Sequence, residues 1–242
     1  MPLLPLKDDN PIAITPYLTY GFIAFNVICF GLSMLLTTPE ALSHDFMFIA
    51  SEYFGYAPPK GISPEWLTPI TSSFLHAGLG HLAGNLFFFY IFADNLENTT
   101  TRTRFILFCL AAAYISGIAQ GFFEQNSDIP SLGFSGVVSA CLGAYLVLYP
   151  KAKIICLFMF NTIAVSAWVL LPLFFLMDVF GQIHASNEPD GGVAYAAHIA
   201  GFLFGVISGK FLKVYDTNYE NIIIPKHKGS HNIRPRTDEY DG

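Results

Sequence analysis

The side chains in this sequence best suited to covalent chemistry are few and come in ordered pieces. Ser135 lies in Gly133-Phe134-Ser135-Gly136, His198 in Ala197-His198-Ile199-Ala200-Gly201, and His81 and Asn85 in His81-Leu82-Ala83-Gly84-Asn85. A serine hydroxyl attacks a carbonyl when a base takes its proton and donors meet the oxyanion that develops. His198 is suited to be that base, and then the acid that protonates a leaving amine. His81 and Asn85 are four residues apart and share one helix face, so with the Ser135 backbone N–H they can form an oxyanion hole. His76 falls off that face, in the preceding loop, and is read as a supporting residue. No carboxylate suggests itself as a third member: Asp178 falls in the outer part of a different segment, and Asp94 and Glu97 fall at the opposite end. The expectation is a Ser135–His198 dyad. No His-Glu-x-x-His or Gly-x-Gly-Asp stretch occurs, so zinc and aspartyl intramembrane protease chemistry have no sequence support.

The elements that must position these groups are read from composition and hydropathy. The chain has 242 residues, 53% hydrophobic and 12% charged, against roughly 25% charge in soluble domains. Mean hydropathy is +0.48. One soluble core cannot hide this much apolar surface, so a polytopic membrane protein is expected. Cys29, Cys109, Cys141 and Cys156 all lie in apolar stretches and read as small buried hydrophobes, with no disulfide or metal framework. Residues 1–16 lack the pattern of a cleavable secretory signal.

Six candidate spans follow, at 17–36, 79–95, 104–123, 135–149, 166–183 and 193–212. The expected fold is all-α, a polytopic bundle of six transmembrane helices. The apolar run at 154–165 reads as a short interfacial segment or as an extension of the fifth span. With six spans, eleven of the twelve Lys and Arg residues fall on the side of the termini and only Lys60 on the other. Such a bias marks the terminal side as cytoplasmic. The expected layout is a cytoplasmic segment at 1–16, a membrane domain at 17–213 and a cytoplasmic tail at 214–242. The outer loops, at 37–78, 124–134 and 184–192, carry acidic residues that include Glu188 and Asp190.

The fourth span sets the depth of the serine. Fifteen residues from Ser135 to Tyr149 give about 22 Å of helix, less than the ~30 Å hydrocarbon core. If Pro150 and Lys151 mark the cytoplasmic interface, Ser135 starts several Å inside the membrane. Irregular backbone at that depth must be buried in protein or line a water-filled cavity. Gly133 and Gly136 suit the turn and the close approach that this requires. Gly136, Ser139, Ala140, Gly143 and Ala144 make the fourth span a small-residue helix. Gly201, Gly205 and Gly209 share a face with His198 on the sixth. Two such helices packed together bring His198 to Ser135.

His76-x4-His81-x3-Asn85, Gly133-Phe134-Ser135-Gly136 and Ala197-His198-x2-Gly201-x3-Gly205 occur in an order that resembles the rhomboid intramembrane serine proteases, in their bacterial six-span form. The resemblance covers about residues 16–213. It implies Ser135 as nucleophile, His198 as general base, His81 and Asn85 as oxyanion donors, and His76, Gly133, Gly136 and Gly201 in support. It also implies cleavage of single-span transmembrane proteins near their outer end in the lipid bilayer, with no cofactor, no metal and no nucleic acid, and a bacterial inner membrane as the setting. The sequence departs from the family in two relevant places. Trp66-Leu67 stands where many members have Trp-Arg, and Ser139 stands where some have a tyrosine that stacks on the histidine.

Two rivals predict other sequence features. A non-catalytic relative that binds clients would lack the serine or the histidine, and both are present. A transporter or channel calls for paired charges and broken helices near the midplane, whereas Asp178 is the clear in-span carboxylate here. The fifth span, with Phe174, Phe175 and Phe180, is the candidate lateral gate.

Overall fold

The computed structural model describes residues 3–36, 39–185 and 193–213. In chain order these form strand β1 (Leu3–Asp8), then helices α1 (Tyr17–Leu36), α2 (Pro39–Phe46), α3 (Ala50–Tyr53) and α4 (Thr68–Thr71), with 3-10 turns on either side of α4. Helices α5 (Leu79–Thr99), α6 (Arg102–Phe123) and α7 (Ser135–Leu148) follow. Strands β2 (Lys153–Phe158) and β3 (Asn161–Ser166) then precede helices α8 (Ala167–Ala185) and α9 (Tyr195–Leu212). Glu188, Asp190 and the tail 214–242 lie outside the described residues.

All six expected spans are helices. By length and composition, α1, α6, α8 and α9 are able to cross a bilayer, and a fifth crossing exists if 65–74 and α5, which meet at 86°, count as one broken span. Helix α7 is apolar but has only 14 residues, about 21 Å. The architecture is a mostly helical membrane bundle with four or five crossings by these criteria.

The expectation of an all-α chain needs correction. The run at 154–165 forms neither an interfacial helix nor an extension of α8. It is the β2–β3 hairpin, and β1 pairs antiparallel with β2 to complete a three-stranded sheet in the order β1-β2-β3. The physical reason is a period of two: Ile154 and Cys156 turn inward and are fully buried while their neighbours face outward. The partner strand lies some 150 residues earlier, where no local signal points to it.

The sheet sits at one end of the bundle, and polar side chains tie the helices together there. Glu97 near the end of α5 accepts from the Leu18 and Thr19 backbone N–H groups (3.0 and 2.8 Å) and from the Thr19 hydroxyl (2.8 Å). A carboxylate at that position satisfies orphan donors and complements the positive end of α1. Asp8 accepts from the Tyr145 hydroxyl on α7 and from Asn95 Nδ2 (2.9 Å). Asn10 Nδ2 donates to Asn95 Oδ1 at 2.7 Å.

At the other end, aromatic packing fixes the start of α7. Phe134 is fully buried. Its ring meets Phe22 of α1, Phe74 of the loop before α5 and Phe89 of α5, at centroid distances of 6.0, 5.5 and 5.0 Å. Lipid provides no hydrophobic drive between helices, so contacts of this kind carry the association; aromatic pairs contribute about 0.5–1.5 kcal/mol each beyond area. The residue immediately before Ser135 is thereby locked to three elements.

Candidate active site

Helices α7 and α9 meet along their glycines. A Cβ on Gly201 would overlap the Gly136 carbonyl oxygen, one on Gly205 the Ala140 carbonyl oxygen, and one on Gly143 the Phe202 carbonyl oxygen. Gly136 in turn faces Ser116 of α6 without room for a Cβ. The start of α9 is also held by α6, since Ala197 N–H donates to Gln120 Oε1 at 3.2 Å and Gln120 Nε2 donates to Glu124 Oε1 at 2.9 Å. This backbone-to-backbone approach brings His198 Nε2 to 2.8 Å from Ser135 Oγ.

Ser135 is the first residue of α7, with Phe134 as the N-cap. Phe134 makes no side-chain cap, and its carbonyl accepts only from Val138 N–H at 3.0 Å. The N–H groups of the first turn therefore point out of the helix beside the serine hydroxyl. Aligned peptide dipoles add positive potential there, which suits a developing oxyanion.

The loop leading to Ser135 is held by the long loop before α5. Phe48 and Ser131 exchange backbone bonds of 2.8 and 3.3 Å, Ser51 donates to Asp128, and Gly133 N–H donates to the Ser72 carbonyl at 3.0 Å. Gly133 has φ +120, in the region that favours glycine, and a Cβ there would lie 2.7 Å from His81 Cε1 and 3.6 Å from Asn85 Nδ2. The bare Cα thus makes room for the His81 ring two residues before the serine, with Asn85 alongside. Asn85 is buried and its Nδ2 makes no protein hydrogen bond, leaving a donor available. His81 is exposed at this end, and the buried His76 stands edge-on to it with ring centroids 5.2 Å apart.

A cavity of about 30 Å³ lies beside Ser135, lined by Ser72, Ser73, Ser116, Ser131 and Gly133 among others. Its lining is polar and apolar in similar measure, and its volume is enough to admit water.

Ser135, His198, Gly133, Gly136 and Gly201 thus cluster at one end of the bundle, with His81 and Asn85 against the Gly133 turn and His76 beside His81. Two contacts were not expected from the sequence. Asp178 Oδ1 of α8 lies 3.1 Å from His198 Nδ1, so a carboxylate is in place after all, and the expectation of none is corrected. The Tyr195 ring stands edge-on to the His198 ring at 6.3 Å and 77°, while Ser139 is buried. The signal for Asp178 was its being an ionisable residue in an apolar helix, which marks function by default; what the sequence hid was the register between α8 and α9. Trp66 and Trp168 are exposed. Of the three phenylalanines on the candidate gate, Phe174 is buried against Phe88, Phe175 stacks on Phe202 at 4.9 Å, and Phe180 is exposed.

Fold and site together define a mostly helical integral membrane protein with a serine–histidine contact at one end of its bundle. The rhomboid domain model matches residues 63–214, and the chain belongs to the rhomboid family. It is 27% identical over 199 residues to Rhomboid protein 1, mitochondrial, of Saccharomyces cerevisiae, covering 81% of this chain and 53% of the yeast protein. It is 29% identical over 192 residues to human Presenilin-associated rhomboid-like protein, mitochondrial, covering 77% and 46% respectively. It is 33% identical over 132 residues to Rhomboid protease GluP of Bacillus subtilis, covering 54% and 24%. The chain therefore spans about half, or less, of the length of the curated relatives it matches.

Proposed function

We propose that this chain is an intramembrane serine endopeptidase acting on single-span membrane proteins. The observation that carries the reading is the 2.8 Å contact between Ser135 Oγ and His198 Nε2 at the N-terminus of a buried helix. In this reading His198 takes the Ser135 proton as Oγ attacks a substrate carbonyl. The oxyanion is met by the Ser135 N–H, Asn85 Nδ2 and His81, and by the dipole of α7. His198 then protonates the leaving amine, and in the second half it activates a water to release the acyl group. The arrangement asks for no cofactor. The substrate helix must unwind locally, because a fully hydrogen-bonded helix hides its carbonyls, so small or helix-weakening residues near the cut favour scission.

We place the six long helices α1, α5, α6, α7, α8 and α9 as six spans, with residues 17–213 as the membrane domain, flanked by 1–16 and 214–242. Lys7, Arg102, Arg104, Lys151, Lys153, Lys210 and Lys213 belong to the sheet end, opposite the serine. The positive-inside bias then puts the termini in the cytoplasm and the site toward the outer face. The proposed setting is a bacterial inner membrane.

The test is covalent. A fluorophosphonate probe should label the detergent-solubilised protein on the peptide containing Ser135, and neither Ser135→Ala nor His198→Ala should be labelled. Equal labelling of wild type and Ser135→Ala overturns the proposal.

A further inference from the structure

Two pairs of residues meet where α8 runs antiparallel to α9. Asp178 Oδ1 lies 3.1 Å from His198 Nδ1, and one turn away the Tyr195 ring covers Gly181 so closely that a Cβ on Gly181 would overlap it. Asp178 and Gly181 are i and i+3 on α8; Tyr195 and His198 are i and i+3 on α9. The two contacts are therefore one register. The missing side chain at Gly181 lets Tyr195 seat beside it. Among the described residues Asp178 bonds only His198.

We propose that Asp178 is a positioning residue for His198, and that the Gly181–Tyr195 contact holds it in place. This inference rests on the protease reading of the same site. A carboxylate oxygen accepts but does not donate, so its hydrogen bond requires a hydrogen on Nδ1. A neutral imidazole carries a single N–H, and Nε2 is then bare toward Ser135 Oγ at 2.8 Å, the only tautomer in which it can act as base. As the proton moves from Oγ to Nε2, the imidazolium forms beside a negative charge, which stabilises it. The chain thus carries a three-residue line borne on α7, α9 and α8 instead of a bare dyad. The groups facing the imidazole are Ser135 from α7, Asp178 from α8, Tyr195 on its own helix and, at longer range, His81 from α5.

The test compares the full-length protein with Asp178→Asn, Asp178→Ala, Asp178→Glu and Gly181→Ala in proteoliposomes, with a single-span substrate followed over pH 5–9. Asp178→Asn should lower kcat on the order of 100-fold with KM unchanged, and the acid limb of the rate profile should move to lower pH by about one unit. Asp178→Glu should recover part of the rate. Gly181→Ala should move the acid limb in the same direction as Asp178→Ala. Nitrogen NMR of histidine-labelled protein reads the tautomer independently of activity: wild type should show Nδ1 protonated and Nε2 bare on His198, and Asp178→Asn should lose that preference. An unchanged tautomer and acid limb in the Asn and Ala variants overturns the inference, whatever happens to kcat, because packing loss alone shifts neither. A wild type with the expected tautomer but no cleavage sinks the protease reading while leaving the positioning role in place.

Discussion

Gly201 of α9 touches the Gly136 carbonyl of α7, and no Cβ fits between them. The contact lies next to the His198–Ser135 pair, because His198 is three residues before Gly201 and Ser135 adjoins Gly136. Gly201→Ala should therefore cost about 1–3 kcal/mol through overpacking, and Gly201→Leu more. Thermal unfolding in detergent measures the loss. Probe labelling of Ser135 should fall in both variants even at temperatures where they remain folded.

Gly133 combines positive φ with the nearness of His81. Gly133→Ala should cost roughly 1–3 kcal/mol of backbone strain and displace the His81 ring. The expected signature is a larger fall in kcat than in thermal stability, seen by running the cleavage assay and the melt on one preparation.

Asn85 presents a buried donor with no protein partner. If that donor waits for an oxyanion, Asn85→Ala should lower kcat on the order of 100- to 1,000-fold and leave KM within about twofold. The folded protein should lose little, since Nδ2 makes no protein hydrogen bond. A fall in KM-dependent binding with kcat intact would place Asn85 in substrate contact instead.

At the sheet end, burial raises the Asp8 carboxyl from 3.8 to about 6, against the lowering effect of its bonds to Tyr145 and Asn95. The unfolded chain holds the ordinary value, so the folded state binds the proton more tightly. The associated stability is fully present below about pH 4 and is lost as pH rises through about 6. At 1.36 kcal/mol per unit the difference is about 3 kcal/mol. Asp8→Asn keeps an acceptor for Tyr145 and cannot ionise. Its melting temperature should exceed that of wild type at pH 7.5 and approach it at pH 4.5, as a pH series of melts would read.

Helices announced themselves in the sequence because their signals are local. The apolar stretch at 17–36 gives α1 to the residue, and Ser135 opens α7 where the glycines suggested. The small-residue faces of α7 and α9 implied close packing, and the contact of Ser135 with His198 follows from it. The sheet was illegible for a physical reason: a continuous apolar run such as 154–158 fits a buried strand or a helix equally well, and β1 joins it from about 150 residues earlier in the chain. Asp178 was visible as a residue but not as a neighbour, since nothing local fixes how far α8 slides along α9. Tyr195, by contrast, lies three residues before His198 on the same helix, a local spacing from which their contact was readable.

The most direct measurement of the central claim is cleavage of a single-span reporter co-reconstituted with the protein in liposomes, comparing wild type with Ser135→Ala and His198→Ala. The account predicts cut product from wild type alone, with both variants at the level of protein-free vesicles. Product formed by Ser135→Ala at the wild-type rate would contradict it.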